Sequence, residues 1–332
     1  AKYINYPVFE YDTNGWLDKK FSKIIKKIKP DIIHIHELVG YSSNIINIAK
    51  KYNIKVFVTV HEYWWLCPHR VMVDFNKKIC DGPAKLEKCT FCVHQRYKNY
   101  KNKNKNLIKY LKRKYKFLYK KYYFIKSNIF KYRNSNNNLM HLSPNSIKYN
   151  HFQNKQLLSS LQKRLKKIVN DLNHADKVIA VSSDVKNKLV QYGVHSEKIL
   201  INHIGSTVAD WAIQHNKKID AKKIIFGFIG GITYYKGIHQ LVEAWISLKN
   251  QLKQQSYLKL YGKYDKGYVS SIKNLIIKDD PFKNHIIFYG RYQPEEIQSI
   301  TNNIDIMVLP SLCADTAPQT IFESFACGLP VI

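Results

Sequence analysis

Apolar residues occur along the chain in short runs that polar or amphipathic stretches separate. Between several runs the apolar spacing becomes helical: Ile238, Leu241, Val242 and Trp245 fall at i, i+3, i+4 and i+7. Many runs show no alternation, as expected for strands that are covered on both faces. The alternation of strands and helices predicts an α/β fold with parallel sheets and crossover helices. The predicted strands are Asp31–Ile35, Lys55–Val60, Lys177–Val181, Lys198–Asn202, Ile224–Ile229, Tyr257–Tyr261, His285–Tyr289 and Asp305–Leu309.

Changes in composition divide the chain into two predicted domains. Residues 1–206 are expected to form an N-terminal α/β domain, interrupted at 97–170 by a basic insertion rich in Tyr and Asn. The insertion has few strand signals, and its stretch Leu107–Phe130 is typical of a basic amphipathic helix. Residues 207–332 are expected to form a second α/β domain. The chain starts at Ala1 and stops in the apolar run Leu329–Ile332, so we interpret it as an internal piece of a longer protein.

The charge of the chain is strongly positive and unevenly distributed. Lys and Arg number 54 against 24 Asp and Glu, a net charge of +30, and no acidic residue occurs from Lys88 to Asn170. Such a surface attracts nucleic acid, anionic lipid or another polyanion. No apolar run approaches the ~20 residues of a membrane-spanning helix, and the first residues do not resemble a signal peptide. The expected location is the cytoplasm, peripheral at the inner face of the membrane.

The C-terminal end carries the strongest pointer to chemistry. A helix is predicted from Pro318 to a Gly328 cap, directly after a predicted strand and loop. A helix N-terminus at the carboxyl end of a parallel strand binds phosphate well. Glu323, one turn in, can accept hydrogen bonds from ribose hydroxyls, although an ordinary solvated helix has the same spacing. The buried face of the helix is predicted to contain Ile321, Phe322, Phe325 and Ala326.

Ser311–Pro330 resembles the donor-site segment of family 4 glycosyltransferases, which have the GT-B fold of two Rossmann-like domains facing a cleft. Both domains would be incomplete in this chain. The resemblance implies that Glu323 holds the donor ribose. It implies that Asp315, eight positions earlier and in place of the family's Glu, touches the transferred sugar or lies near the reaction centre. The helix start would bind the donor phosphates through Thr316, Ala317, Pro318, Gln319 and Thr320.

The Gly-rich segment Ile224–Gly237 resembles the family's diphosphate-binding loop. A glycine turn lets the backbone approach an anion, and Lys236 supplies a point charge. The resemblance assigns Gly230, Gly231, Lys236 and Gly237 to the donor site. The family has an Arg where this chain has Gly231, and Arg291, after the strand His285–Tyr289, is the candidate that replaces its charge.

Three segments of the N-terminal half resemble the family's strand-end motifs: Pro30–His36, Phe57–Trp64 and Ala175–Ser182. By the resemblance His61 reaches the donor sugar across the cleft. Its place at the carboxyl end of a strand agrees, since ligands of open α/β sheets bind there. His34 and His36 are interpreted as ordinary core or loop residues.

Four cysteines lie within 26 residues, at Cys67, Cys80, Cys89 and Cys92, the last two as Cys-x-x-Cys. This clustering is compatible with a structural zinc ion and also with free thiols. Cys313 and Cys327 are interpreted as packing residues.

Together these features predict a glycosyltransferase that moves a sugar from a nucleoside-diphosphate donor to a glycan or lipid-linked acceptor, with retention of anomeric configuration. The predicted role is in bacterial surface polysaccharide assembly, and no cofactor is expected for catalysis. Two alternatives stay open at this point. The interleaved Lys and Tyr of residues 97–133 suit a nucleic-acid-binding protein, and Gly231 in place of Arg suits a non-catalytic relative.

Overall fold

The structure is a computed structural model that describes residues 14–38, 41–76, 78–83, 86–93, 151–213, 223–276 and 280–332. Within these residues the strands form two parallel four-stranded sheets, one in each half of the chain. Each sheet has apolar strands that are largely buried between flanking helices. All eight strands predicted from the apolar runs are present, and the predicted α/β class is confirmed.

The first sheet has the strand order β1-β2-β3-β4. Neighbouring strands are parallel and in continuous register, as Ile32 beside Lys55 and Phe57 beside Lys177 show. Asp176 fixes the start of this sheet, because its carboxylate accepts the amide of Val56 at 2.8 Å and binds Lys50. The elements are α1 (Gly15–Ile28), β1 (Ile32–Ile35), α2 (Ile45–Lys51), β2 (Lys55–Val60), α3 (His151–His174), β3 (Lys177–Ala180), α4 (Ser183–Gln191) and β4 (Ile199–Ile201).

The second sheet has the order β7-β6-β5-β8, again entirely parallel. Its core is built by the face of α6 that the sequence predicts, since Ile238, Val242 and Trp245 are buried and Leu241 packs against them. The elements are α5 (Val208–Trp211), β5 (Ile224–Ile229), α6 (Ile238–Ile246), α7 (Asn250–Gln254), β6 (Ser256–Tyr261), α8 (Lys266–Lys273), β7 (Ile286–Gly290), α9 (Ile297–Asn302), β8 (Ile306–Met307) and α10 (Gln319–Ala326).

The chain passes from the first unit to the second just before α5. Ile204 packs against the first core, whereas Val208 belongs to a core of the second unit. The domain boundary at residues 206 and 207 stays a prediction that agrees with this division.

The predicted insertion 97–170 lies largely outside the described residues, including Leu107–Phe130. Its last part, 151–170, is helical and continues to His174 as α3. Ile168 and Leu172 of α3 are buried in the first core. This part therefore belongs structurally to the first unit, because α3 covers the sheet as a crossover helix between β2 and β3.

The predicted buried face of the C-terminal helix is wrong. Phe322 and Phe325 of α10 are 38% and 55% exposed, and Ser324 and Cys327 are buried instead. Ser324 and Cys327 are three residues apart and form a narrow stripe on the helix. The helix therefore turns its polar side, which carries Glu323, toward the linker before α5. In the described part of the chain no helix is long and apolar enough to cross a membrane.

Candidate functional site

The candidate site lies where the carboxyl ends of β2, β5 and β8 meet the loop that leads into α10. Open α/β sheets bind ligands at the carboxyl ends of their strands. The loop 308–318 contacts both units: Ala314 and Ala317 pack against the first core, and Leu312 donates its amide to the Tyr235 carbonyl of the second unit at 2.8 Å. The loop thus joins the segment before α10 to the Gly-rich loop and to the first unit.

The Gly-rich loop after β5 requires glycine at its end. Gly237 has φ +70°, and a Cβ atom built there would lie 1.8 Å from the carbonyl oxygen of Pro310. Gly230 turns the chain out of β5 at φ +147°, and its amide donates to the Tyr261 carbonyl. Gly231 differs from both, since a Cβ there would meet nothing within 4 Å. The backbone therefore leaves space for a side chain at position 231, where the resembling family has Arg.

Lys236 and Asp315 form an ion pair in the site. The ammonium group of Lys236 donates to Asp315 Oδ2, and both side chains are mostly buried. This contact joins the Gly-rich loop to the loop before α10. It places the cation that the sequence assigns to the diphosphate beside the carboxylate that it assigns to the reaction centre.

Thr316 connects the same loop to the end of β2. Its hydroxyl donates to the carbonyl oxygen of His61 at 2.5 Å. The loop residue next to Asp315 therefore contacts His61, although Asp315 is 254 positions further along the sequence. The contact is made by the His61 backbone, and the reach of the His61 side chain to a donor sugar stays a prediction.

Glu323 faces the linker between the two units. The hydroxyl of Ser206 donates to Glu323 Oε1 at 3.1 Å, and the Gln319 amide donates to the Gly205 carbonyl at 3.4 Å. Burial raises the pKa of the Tyr292 phenol, and the Glu323 carboxylate nearby raises it further. Ser206 and Tyr292 thus border Glu323, and the sequence analysis did not find them because neither belongs to a recognisable motif.

His36 contacts His61, which the sequence did not indicate. Its Nδ1 lies 2.9 Å from Nε2 of His61, and the two rings stack with centroids 5.2 Å apart. Burial lowers the pKa of His61, and the neighbouring His36 and His34 lower it further. His34 contacts the hydroxyl of Thr59 at 2.7 Å. The interpretation of His36 as an ordinary core or loop residue stays a prediction. The structure adds its contact with His61, because equivalent positions after adjacent parallel strands meet at one edge of the sheet.

Two Glu residues follow these histidines and share one cation. Arg70 Nη1 lies 3.6 Å from Glu37 Oε1 and 3.9 Å from Glu62 Oε2. Burial raises the pKa of Glu62, Arg70 opposes this shift, and Glu37 adds to it.

Arg291, the predicted substitute for the missing Arg, is exposed in the loop after β7, next to Tyr292. Its role as the replacement for the family's Arg stays a prediction.

The four clustered cysteines border one small cavity in the first unit. Burial, together with the neighbouring Cys67, Cys80 and Cys92, raises the pKa of the Cys89 thiol to about 12. As their side chains stand, no three His, Cys, Asp or Glu residues in the described ranges form a set ready to hold a metal ion.

The second unit matches a known family over nearly its whole length. Residues 210–332 match the family described as glycosyl transferases group 1. This range contains the Gly-rich loop, Lys236, Asp315 and Glu323. The match covers less than half of the chain, and the first unit lies outside it.

Two sequence relatives extend the similarity. An uncharacterized glycosyltransferase of Methanocaldococcus jannaschii is 26% identical over 163 residues, which are 48% of this chain and 40% of the relative. An uncharacterized 42.6 kDa protein in the cps region of Klebsiella pneumoniae is 22% identical over 323 residues, 96% of this chain and 61% of that protein. The chain thus spans less than two thirds of the length of either curated relative.

Solved structures share the fold across both units. HepE of Anabaena in complex with UDP superposes with a TM-score of 0.55 at 15% identity, over 96% of this chain and 63% of that one. Sucrose-phosphate synthase of Thermosynechococcus elongatus gives a TM-score of 0.53 at 14% identity, over 97% and 60%. The chain therefore has the GT-B fold with two Rossmann-like units, as the sequence predicts.

Proposed function

We propose that this chain transfers a sugar from a nucleoside diphosphate to a glycan or lipid-linked acceptor, with retention at the anomeric carbon. One observation carries the proposal: the 315–323 segment contacts the end of β2, the Gly-rich loop and the linker at the same time. Asp315 and Glu323 thereby belong to one segment that also contacts Lys236 and His61. Similarity to the UDP complex of HepE and to glycosyl transferases group 1 supports the donor class.

The residues suit the demands of this reaction. The enzyme must stabilise a departing diphosphate and a sugar centre with oxocarbenium character. Lys236 and the N-terminus of α10 supply fixed positive charge for the diphosphate, and Arg291 adds to it. Glu323 accepts hydrogen bonds from the ribose, held in place by Ser206. The acceptor attacks from the face that the diphosphate leaves, and the leaving phosphate oxygen takes the acceptor proton, so no covalent nucleophile is needed.

In this scheme Asp315 positions Lys236, and His61 contacts the transferred sugar. Asp315 holds Lys236 in the site before the donor binds, and the arriving diphosphate replaces the carboxylate as the partner of the ammonium group. Only one of the facing nitrogens of His36 and His61 carries their shared proton. His36 thus fixes the orientation of the His61 ring, while His61 faces the transferred sugar.

The direct experiment is a screen of nucleotide sugars with the full chain, read by release of the nucleoside diphosphate. Proton NMR of the first product, before any anomeric exchange, reports its configuration. We expect one donor to be turned over and the product to keep the donor's anomeric configuration. Turnover with inversion would overturn the retaining mechanism. A chain that binds a nucleotide sugar but never turns it over would be a non-catalytic relative.

Glu323→Gln tests the ribose contact. We expect the variant to lose about 10- to 100-fold in affinity for the donor, because a charge-assisted hydrogen bond contributes about 1.5–3 kcal/mol. Wild type should discriminate against donors that carry a 2′-deoxy- or 3′-deoxyribose, and the variant should discriminate much less. Glu295→Gln, on an exposed residue of the second unit, is the matched control. A variant with wild-type affinity and wild-type discrimination would remove Glu323 from the ribose site.

The charge of the chain supports an acceptor on an anionic membrane. No acidic residue occurs from Lys88 to Asn170, and the net charge is +30, while basic residues near an anionic leaflet each contribute about 1 kcal/mol to binding. We expect co-sedimentation with vesicles of anionic lipid at physiological salt, and little with neutral vesicles. Stronger binding to an oligonucleotide than to anionic vesicles at the same salt would favour the nucleic-acid alternative.

A further inference from the structure

Four cysteine side chains border one cavity in the loop-rich segment 67–93. The cavity has a volume of about 20 Å³, close to the space that a single water or ion occupies. Cys67 lies in the turn that follows Tyr63–Trp65, and Cys80 follows an isolated antiparallel bridge between Val73 and Ile79. Cys89 and Cys92 lie on the helical residues 86–93. Because residues three apart share a helix face, this short helix presents two sulfurs to the cavity.

Backbone amides are directed at two of these sulfurs. The N–H groups of His69 and Met72 hydrogen-bond to the Cys67 sulfur, and that of Phe75 hydrogen-bonds to the Cys92 sulfur. Burial outweighs these donors and raises the pKa of both thiols. The Cys80 thiol donates to the Gly82 carbonyl at 3.6 Å. Backbone groups of the segment thus hold three of the four sulfurs at the border of the cavity.

The carboxylate that borders the same cavity is already engaged. Asp74 accepts the amides of Asn76 and Lys78 at 2.8 and 3.0 Å, and its other oxygen lies 3.3 Å from Lys88 Nζ. It therefore stabilises the turn between Val73 and Ile79. The other metal-donor side chains that border the cavity are the four cysteines and His69. Four sulfurs are the donor set of a closed tetrahedral zinc site.

The segment also needs a constraint that its secondary structure does not provide. Between residues 66 and 86 the described part contains the one isolated bridge, and Arg70 and Met72 have φ of +70° and +46°. Residues with a Cβ adopt such conformations only where the surroundings hold them. A bound metal is a common constraint in small loop-rich units.

We propose that Cys67, Cys80, Cys89 and Cys92 bind one structural zinc ion. Each thiol releases its proton to solvent on binding, and the side chains close on the ion by rotation about χ1, because they do not form a ready metal set as they stand. The segment begins five residues after Glu62, so the zinc ion would also hold the loop that leaves β2 at His61 and carries Arg70.

The test is the metal content of the full chain, purified without chelator under reducing conditions and measured by mass spectrometry. We expect about one zinc per chain, and replacement by cobalt(II) should give the charge-transfer and ligand-field absorption of a tetrahedral thiolate site. Cys89→Ser and Cys92→Ser should each lose most of the zinc. Cys313→Ser, on a cysteine outside the cavity, should keep it.

The cobalt spectrum is recorded on the wild-type chain, so it tests zinc binding even if a Ser variant does not fold. Titration of the thiols with a chromogenic disulfide, with and without zinc, gives a second reading. Zinc should protect four thiols, and removing it with a chelator should lower the melting temperature. Wild-type chain that takes up neither zinc nor cobalt, or whose four cysteines pair as disulfides under reducing conditions, would overturn the proposal.

Discussion

Replacing Lys236 with Ala is expected to lower kcat/KM for sugar transfer by about 10²- to 10³-fold, the effect of removing one preorganised group that stabilises developing charge. The ammonium group is mostly buried, and it is held by Asp315 at the junction of the two loops of the donor site. Its removal takes away the positive charge next to the leaving diphosphate. It also leaves the Asp315 carboxylate, which then repels the diphosphate.

These two contributions can be separated by a double-mutant cycle. Lys236→Ala combined with Asp315→Asn should recover part of the lost activity if repulsion by the carboxylate contributes to the loss. Lys236→Arg keeps the charge and should lose much less than the Ala variant. Lys266→Ala, on an exposed residue of α8, is the matched surface control. A Lys236→Ala variant within about threefold of wild type would contradict the role of this residue.

Gly237→Ala is expected to destabilise the second unit by about 3 kcal/mol or more, because the change combines a disfavoured backbone conformation with a backbone clash. Position 237 has φ +70°, and the added Cβ would lie 1.8 Å from the Pro310 carbonyl oxygen. The clash can be relieved only by separating the Gly-rich loop from the loop after β8. The same movement would weaken the contact between Lys236 and Asp315, so transfer activity should fall together with stability.

Gly231→Ala provides the matched comparison for this prediction. It lies in the same loop, its backbone is outside the left-handed region, and its Cβ would meet nothing within 4 Å. We expect its free energy of unfolding to stay within about 0.5 kcal/mol of wild type. Urea unfolding of both variants measures the difference. Equal midpoints for the two variants would show that the close approach at Gly237 does not exist in solution.

The strands could be predicted from the sequence because each is an apolar run of the right length. Ile224–Ile229 is reproduced residue for residue, since this central strand is buried on both faces. The strand predicted at Asp305–Leu309 is shorter in the structure, Ile306–Met307. It pairs with Phe226 and Gly227 of β5, and its backbone also hydrogen-bonds to residues 330 and 332. The length of β8 depends on these distant partners, which the local apolar pattern does not contain.

The parts of the site that could not be predicted depend on contacts between distant segments. The apolar residues of α10 suggested a face that the structure leaves exposed, because α10 packs through Ser324 and Cys327 while Glu323 contacts Ser206 of the linker. The pairing of His36 with His61 follows from the register of β1 beside β2. Sequence spacing placed each histidine at a strand end, but only the strand order makes them neighbours.

The central claim is that the cleft between the two units is a nucleoside-diphosphate site that uses Lys236 and Glu323. The most direct test is calorimetric titration of the full chain with a panel of nucleoside diphosphates, repeated on Lys236→Ala, Glu323→Gln and the surface controls Lys266→Ala and Glu295→Gln. We predict that at least one nucleoside diphosphate binds wild type and both controls equally. Its Kd should rise about tenfold or more in each site variant. Absence of binding to wild type, or equal Kd values in all five proteins, would contradict the account.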